Sequence, residues 1–483
     1  MIRPRLLLLL LVAALAASCA TNPVTGRREI SLVSPERELQ IGREGHDAIV
    51  AEYGLYDDSA VAAYVDSVGQ SLARISHLPA LKWTFSVLDD PTVNAFATPG
   101  GYVYITRGIL AHLNSEAQLA GVLGHEIGHV TSRHTAQRIT QQEIAGVGLS
   151  LAGALSEGFR RYGDAAQTAL GVLMLKYSRD DENQADELGV EYSTKAGYDP
   201  REIPGTYVML KRVGERAGQR LPAFLSTHPD PGDREERTRQ LAGEAAAGKT
   251  GLLVRGRSYI QRLDHMVFGR DPRQGYFEGD RYYHPQMAFT LTLPSGWQRN
   301  DTHSSVTAAP SGSRAVMQLS LATDAGTFSA GGYARYLVRT GRVLDAAGAP
   351  ESFDGLEAWM GRLEVKVSDG TFVSLATAFY RLGPDRMIQI LGRGGEPGDE
   401  DEKAIVASMR SFRQLVDRSR LSASPDRVKV VKVPTGGRLE AVLPGFGRQA
   451  LDGAGTSILN NLQLDEEVRP GELLKVVEPG QTH

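Results

Sequence analysis

In the stretch GVLGHEIGHVTSRH, Gly121 to His134, two histidines stand four residues apart and a glutamate directly follows the first. On a helix, positions i and i+4 share a face, so His125 and His129 can offer their imidazoles to one ion at about 2 Å from each nitrogen. Glu126 lies on the adjoining side, within reach of a water on that ion. Zinc lowers the pKa of such a water towards ~7, a carboxylate takes its proton and later passes it to a leaving amine, and the ion polarises the scissile carbonyl. The spacing therefore points to Zn2+ as cofactor and to hydrolysis, with His125 and His129 as ligands and Glu126 as general base. Gly124 and Gly128 leave room beside the histidines for another element, and Gly128 weakens the helix by about 1 kcal/mol relative to alanine.

Two histidines and a water leave one protein ligand to be found. Candidates stand on a predicted helix in YSRDDENQADELGVEY, where Asp181 and Glu182 are neighbours. HEIGH followed by ENQAD resembles the gluzincin metalloproteases that include the CAAX prenyl endopeptidase, the bacterial heat-stress membrane protease and periplasmic relatives involved in outer-membrane assembly. In that family HExxH is followed by ExxxD. The resemblance makes Glu182 the third zinc ligand and Asp186, one turn on, the residue that orients a ligand histidine. It covers residues 22 to 242 in outline and includes CATNPVTGRRE, NAFATPGGYVYITRGIL and STHPDPGDRE. It implies an edge strand at NAFATPGG, so that Asn94, Ala95 and Phe96 would pair with protein substrates in extended conformation by strand addition; an ordinary hairpin is the alternative. For His228 two readings stand: a removable fourth ligand that keeps the site latent, as in some periplasmic relatives, or a loop-fixing hydrogen bond. Arg234 either binds the substrate carbonyl or pairs with an acid. His134 lies about 140° round the helix from His129 and reads as structural.

The elements that must position these groups are legible in outline. Ser34 to Tyr53 and Ser59 to Ile75 carry apolar residues at helical spacing, and SPERE supplies a capping serine, a first-turn proline and early acids. LKWTFSVLDD and YVYITRG alternate as half-buried strands do, with a tight turn at Gly100-Gly101, which predicts a small antiparallel sheet. Asn114-Ser115 caps a helix from about Glu116 to about Arg133. The small-residue stretches that follow read as a helical hairpin, with membrane contact as the alternative, because the apolar run falls short of the ~20 residues a span requires. A helix, a loop at STHPDPGD and another helix close the first domain.

The expected organisation is a lipoprotein signal peptide (1–19), a zinc metalloprotease domain (20–248), a linker (249–286), an α+β domain (287–418) and a C-terminal module (424–478). The fold class is α+β: a mostly helical zincin-type domain with a small antiparallel sheet, then an antiparallel-sheet domain with a closing helix in DEDEKAIVASMRSF. The pairing of FTLTLPSGW with IVASMRSFRQL resembles the Mog1/PsbP-like sandwich, and LNNLQLDEEVRPGELLKVV resembles the second half of a LysM module, its first half distorted by PGFGRQALDGAG.

With 483 residues, 41% hydrophobic and 23% charged, the chain can bury several cores, and a net charge of −4 without a long basic block excludes nucleic acid as the main partner. The start, MIRPRLLLLLLVAALAASCA, has the layout of a secretory signal, and its LAASC resembles a lipobox. Cys19 is the single cysteine and is read as the lipidation site, which implies a membrane tether. Cleavage after Ala20 would instead give a soluble periplasmic protein. Ala20 after the cysteine is the pattern of lipoproteins sent to the outer membrane of Gram-negative bacteria. Together these readings predict a periplasmic, lipid-anchored zinc endopeptidase acting on unfolded or misassembled envelope proteins, with peptidoglycan as a further partner of the tail. The alternative is a latent-protease chaperone or assembly factor that acts through binding.

Overall fold

The computed structural model describes residues 19–144, 171, 176–218, 223–228, 231–366, 371–395 and 398–481. The leader and most of the expected small-residue hairpin lie outside these residues. Two compact units form: one from Met1–Arg270 with Asp426–Pro479, the other from Asp271–Pro425 with Gly480–His483.

The first unit opens with a hairpin of β1 (Cys19–Thr21) and β2 (Arg28–Ile30), in which Cys19 stands opposite Ile30. Helix α1 (Pro35–Tyr53) starts where Ser34 accepts the Arg37 amide, with Pro35 in the first turn, and α2 (Ser59–Ala73) is capped by Asp58. A three-stranded sheet follows from β3 (Thr84–Leu88), β4 (Ala95–Thr98) and β5 (Tyr102–Thr106), ordered β3-β5-β4. It is antiparallel only at β4–β5; β3 and β5 run parallel, which corrects the expected all-antiparallel sheet. The hairpin β4–β5 folds back so that β5, not β4, takes the place beside β3. Gly100 and Gly101 make that hairpin possible, since both have positive φ (83° and 90°). Period-two alternation divides the side chains: Phe96 and Tyr104 join Ala48, Ile49 and Leu88 on the α1 side, whereas Ala95, Ala97, Val103 and Ile105 enter the main core.

Short α3 (Arg107–His112) leads to α4 (Glu116–Thr131), every residue of which is buried. Then come α5 (His134–Ile144), α6 (Arg179–Lys195), α7 (Ile203–Ala217), α8 (Ala223–Thr227), α9 (Pro231–Ala246) and α10 (Gly256–Arg262). The expected linker is not free chain. Tyr259, Leu263 and Met266, spaced as on a helix, are buried in the first unit's core, and Tyr276–Glu278 and Arg281–His284 are strands of the second unit.

In the second unit, β6 (Tyr276–Glu278), β7 (Arg281–His284), β8 (Phe289–Thr292) and β16 (Arg413–Gln414) make a four-stranded antiparallel sheet ordered β16-β8-β7-β6. Strands β9 (Gln298–Asp301), β10 (Ser305–Ala309), β11 (Val316–Leu321), β12 (Asp345–Phe353), β13 (Leu356–Lys366), β14 (Phe372–Arg381) and β15 (Met387–Arg393) make a seven-stranded antiparallel sheet, β12-β13-β14-β15-β11-β10-β9. Alternation again sorts the faces: Phe379 meets Tyr333 of α11 (Ala330–Arg339), while Ala378 and Tyr380 face the core that holds Met409 of α12 (Glu400–Arg410).

The tail returns to the first unit. Strands β17 (Arg427–Lys432) and β20 (Leu473–Glu478) pair antiparallel, with a short β18 (Gly437–Arg438) to β19 (Glu467–Val468) pairing and α13 (Gly453–Leu459) between them. Val428, Leu459 and Val477 are fully buried in the first unit's core, so this segment is part of that unit and not a separate module. Lys475 is fully buried, donates to the Ala111 and Leu113 carbonyls at the end of α3, and is pushed well below the ordinary lysine value by burial. No helix of the described residues is long and apolar enough to cross a membrane.

Candidate metal centre

The site grows from the crossing of α4 with α6. Ser115 caps α4 by accepting the Gln118 amide, and Ser178 forms a capping box with Asp181 at the start of α6. The helices approach through small residues. A Cβ on Gly124 would lie 3.1 Å from the Gly189 carbonyl oxygen and 3.2 Å from its Cα, and one on Gly189 would lie 3.1 Å from the His125 amide nitrogen. This closeness brings ENQAD to HEIGH.

His125, His129, Glu182 and His228 place one ligating atom each within 4.8 Å of one another, all buried. His129 Nε2 is 3.0 Å from His125 Nε2, and His228 Nδ1 is 3.4 Å from His125 Nε2 and 2.8 Å from Glu182 Oε1. The Glu182 oxygens lie 3.6 Å from His125 Nε2 and from His129 Nε2. Ligands bonded to zinc at about 2.05 Å in tetrahedral array sit about 3.3 Å apart, so the donor set and its spacing fit that ion. The fit has a chemical reason too: imidazole nitrogens that converge with facing lone pairs repel unless a cation stands between them.

The surrounding groups orient these donors. Asp186 Oδ1 is 3.0 Å from His125 Nδ1. Arg234 grips Asp186 through Nε (2.9 Å) and Nη2 (2.6 Å), reaches Glu182 Oε2 with Nη1 (2.7 Å), and receives Tyr207 below its guanidinium. The Tyr207 hydroxyl donates to Asp186 Oδ1 at 2.6 Å. Of the two readings of Arg234, the geometry has the acid pair. Glu126 is buried with its Oε1 lacking a hydrogen-bond partner; His228 Nε2 is 3.9 Å away.

Charge states follow from burial and neighbours. Burial raises the Glu126 carboxyl above the usual carboxylate range, against the pull of His228 and His125. Burial would raise Glu182 and Asp186 too, but His228 and Arg234 outweigh it for Glu182, and Arg234 and His125 for Asp186, so both are held low. Burial drives His129 well below the ordinary histidine value. For His228 burial pulls down, yet Glu182 and Glu126 leave it raised.

The sequence missed two contributors. His134 is 1% exposed, with Nδ1 3.0 Å from His129 Nδ1, because α4 stops at Thr131 and the chain turns instead of continuing the helix on which the 140° projection rested. Tyr177 stacks on His129 with ring centroids 4.0 Å apart, and its hydroxyl bonds Thr135 Oγ1 at 3.0 Å. Nothing local marks Tyr177 in the sequence. Asn94 precedes β4, whose four residues are all buried, with Ala95 and Phe96 on opposite faces. Asn94 Oδ1 is buried without a hydrogen-bond partner.

The profile of peptidase family M48 matches residues 59–242. The mitochondrial metalloendopeptidase OMA1 of Schizosaccharomyces pombe is 31% identical over 233 residues, which are 46% of this chain and 66% of that protein. A putative beta-barrel assembly-enhancing protease of Vibrio cholerae is 31% identical over 252 residues, 49% of this chain and 52% of that one. The chain thus spans between half and two thirds of the length of these curated relatives. A solution structure of cyanobacterial PsbP from Synechocystis covers 28% of this chain and 91% of that one at 13% identity, with a TM-score of 0.22 that lends the expected PsbP-like fold no support. The matched segment contains both helices of the crossing and all four donors, and members of the matched family use zinc; the chain belongs to peptidase family M48.

Proposed function

We propose that the protein is a zinc-dependent endopeptidase that hydrolyses peptide bonds of unfolded or misassembled envelope proteins. The observation that carries this reading is the buried carboxylate of Glu126, with one oxygen unpartnered, beside a group of four buried donors. A carboxylate raised by burial is a competent general base near neutral pH. His125, His129 and Glu182 would hold zinc, which when bound supplies Lewis-acid polarisation of the scissile carbonyl and acidifies water. Glu126 takes a proton from the attacking water and returns it to the leaving amine. Asp186, itself held by Arg234 and Tyr207, keeps His125 turned towards the ion, so Arg234 acts through orientation and not by touching substrate. The backbone at Asn94, Ala95 and Phe96 is the proposed docking edge for an extended substrate. A recess of about 20 Å³ lined by Val122, His125, Ile203, Thr206 and Phe224 suits a small side chain next to the cut.

His228 is proposed as a fourth ligand that must leave before water can attack. The burial of every donor favours this guarded state, and with it the second reading, a latent protease that acts in outer-membrane assembly by binding. The name of the Vibrio cholerae relative, a putative beta-barrel assembly-enhancing protease, suits an envelope location, with Cys19 as the proposed lipid anchor. Glycan binding by the LysM-like tail is a weaker extension, because that segment's strands also serve the first unit's core.

Zinc content and casein cleavage of wild type and Glu126→Gln test the reading. The variant should retain zinc and lose roughly 10²–10⁴-fold in rate. Equal residual activity in the two proteins would remove Glu126 from the mechanism. His228→Ala should raise cleavage without lowering zinc content.

A further inference from the structure

We propose that His134 and Gln184 are positioning residues that fix the tautomer of His129, making its Nδ1 a donor and leaving its Nε2 lone pair free for the metal. The inference rests on the reading of His129 as a zinc ligand. It begins with the 3.0 Å contact between His129 Nδ1 and His134 Nδ1, in which one nitrogen donates and the other accepts. The far side of His134 decides which. Its Nε2 faces the Gln184 amide oxygen at 2.9 Å and the Asp181 carboxylate at 3.9 Å, both acceptors. The hydrogen of the neutral ring therefore sits on Nε2, and its Nδ1 is bare. His129 Nδ1 must carry the hydrogen in the shared contact. A neutral imidazole has one N–H, so His129 Nε2 is left unprotonated, pointing at His125 Nε2 (3.0 Å) and Glu182 Oε1 (3.6 Å).

The backbone is built to bring His134 there. Arg133, at φ 58°, occupies the left-handed region that side chains other than glycine's avoid. Its guanidinium is held by Glu38 in the first turn of α1 (Nε to Oε1, 2.7 Å) and by the carbonyl of Val33, just before that helix (3.0 Å). That turn starts a new helix at His134 and returns its ring to His129. Gln184 sits on α6 between Glu182 and Asp186, so one helix supplies a ligand, the acceptor for His125 and the acceptor that polarises His134. Each ligand histidine on α4 thus has its own Nδ1 acceptor, Asp186 for one and His134 for the other.

The test is the zinc dissociation constant of the full chain, measured by competition with a chelating dye and without substrate, for His134→Leu, His134→Asn, Gln184→Glu and Gln184→Lys. His134→Leu should bind zinc roughly 10–100-fold more weakly than wild type. His134→Asn, whose amide oxygen can stand where Nδ1 accepts, should recover most of that loss; a role in packing alone would make leucine the better tolerated of the two. Gln184→Glu keeps an acceptor and should bind like wild type, whereas Gln184→Lys presents a donor to Nε2 and should bind more weakly. Wild-type affinity in His134→Leu or Gln184→Lys, or asparagine no better than leucine, overturns the proposal. Should His134→Leu not fold, the Gln184 pair decides alone. A wild type that binds zinc but cleaves nothing overturns the proteolytic reading and leaves this one intact.

Discussion

Gly124→Ala is the substitution that weighs helix propensity against the crossing of α4 with α6. The new methyl would meet the Gly189 oxygen at 3.1 Å, the Gly189 Cα at 3.2 Å and the Ser193 Oγ at 3.5 Å. Comfortable separations begin at about 3.5 Å, so the helices must part by roughly 0.5 Å, and the atoms in the way are backbone that cannot rotate aside. Such overpacking costs about 1–3 kcal/mol, against a gain of about 1 kcal/mol for removing a mid-helix glycine. The net loss of stability should be small, about 0–2 kcal/mol. Metal affinity should respond more strongly, because His125 and His129 ride on one helix and Glu182 and Asp186 on the other, and a site tolerates roughly 0.5 Å of displacement. We expect zinc to bind 10-fold or more weakly, of the order seen when orienting groups are lost. Gly243→Ala in α9 is the control: nothing lies within 4 Å of its added methyl, so it should gain up to about 1 kcal/mol and leave zinc binding alone. Denaturant unfolding of the metal-free proteins and chelator competition give the two numbers. Wild-type zinc affinity in Gly124→Ala would refute the idea that close helix contact sets the ligand geometry.

Three further outcomes are expected. Arg234→Ala strands the buried Asp186 and Glu182 carboxylates and should destabilise the protein by about 3–5 kcal/mol in urea titration, and Arg234→Lys should recover only part, since one ammonium cannot reproduce the bidentate grip. A chain ended at residue 425 loses Val428, Leu459 and Val477 from the first unit's core, about 1.5–3 kcal/mol each and together comparable to a whole domain's stability; its first unit should be cut rapidly by proteases, and resistance equal to full length would show the tail to be a separate module. His112 and His284 are each lowered from 6.5 to about 4 by burial, so between those pH values the unfolded chain binds protons that the folded chain refuses. Stability should hold above pH 6.5 and fall as pH drops, by about 2 kcal/mol per histidine at pH 5; unfolding curves unchanged between pH 7 and 5 would contradict the buried neutral state.

By itself the sequence determined what depends on neighbours within a turn or two of helix. His125 and His129 share a face because they are four apart, Glu182 and Asp186 because they too are four apart, and Ser34 and Ser115 start helices because their side chains accept amides three residues on. The resemblance linked the two helices, and the glycines at 124 and 128 announced that something must come close. Tertiary structure alone decided the rest, for a reason of range. The left-handed turn at Arg133 is stabilised by Glu38 and Val33, about a hundred residues away, so no local pattern could foretell that His134 returns to His129. Whether Arg234 met substrate or acid hung on α9 lying against α6, and β5 took the place beside β3 through a pairing that alternation cannot specify. Lys475 shows the limit most plainly: a lone lysine in an apolar strand reads as a solvent-facing charge, and only the return of the tail onto α3 gives its side-chain nitrogen the two carbonyls that let it be buried.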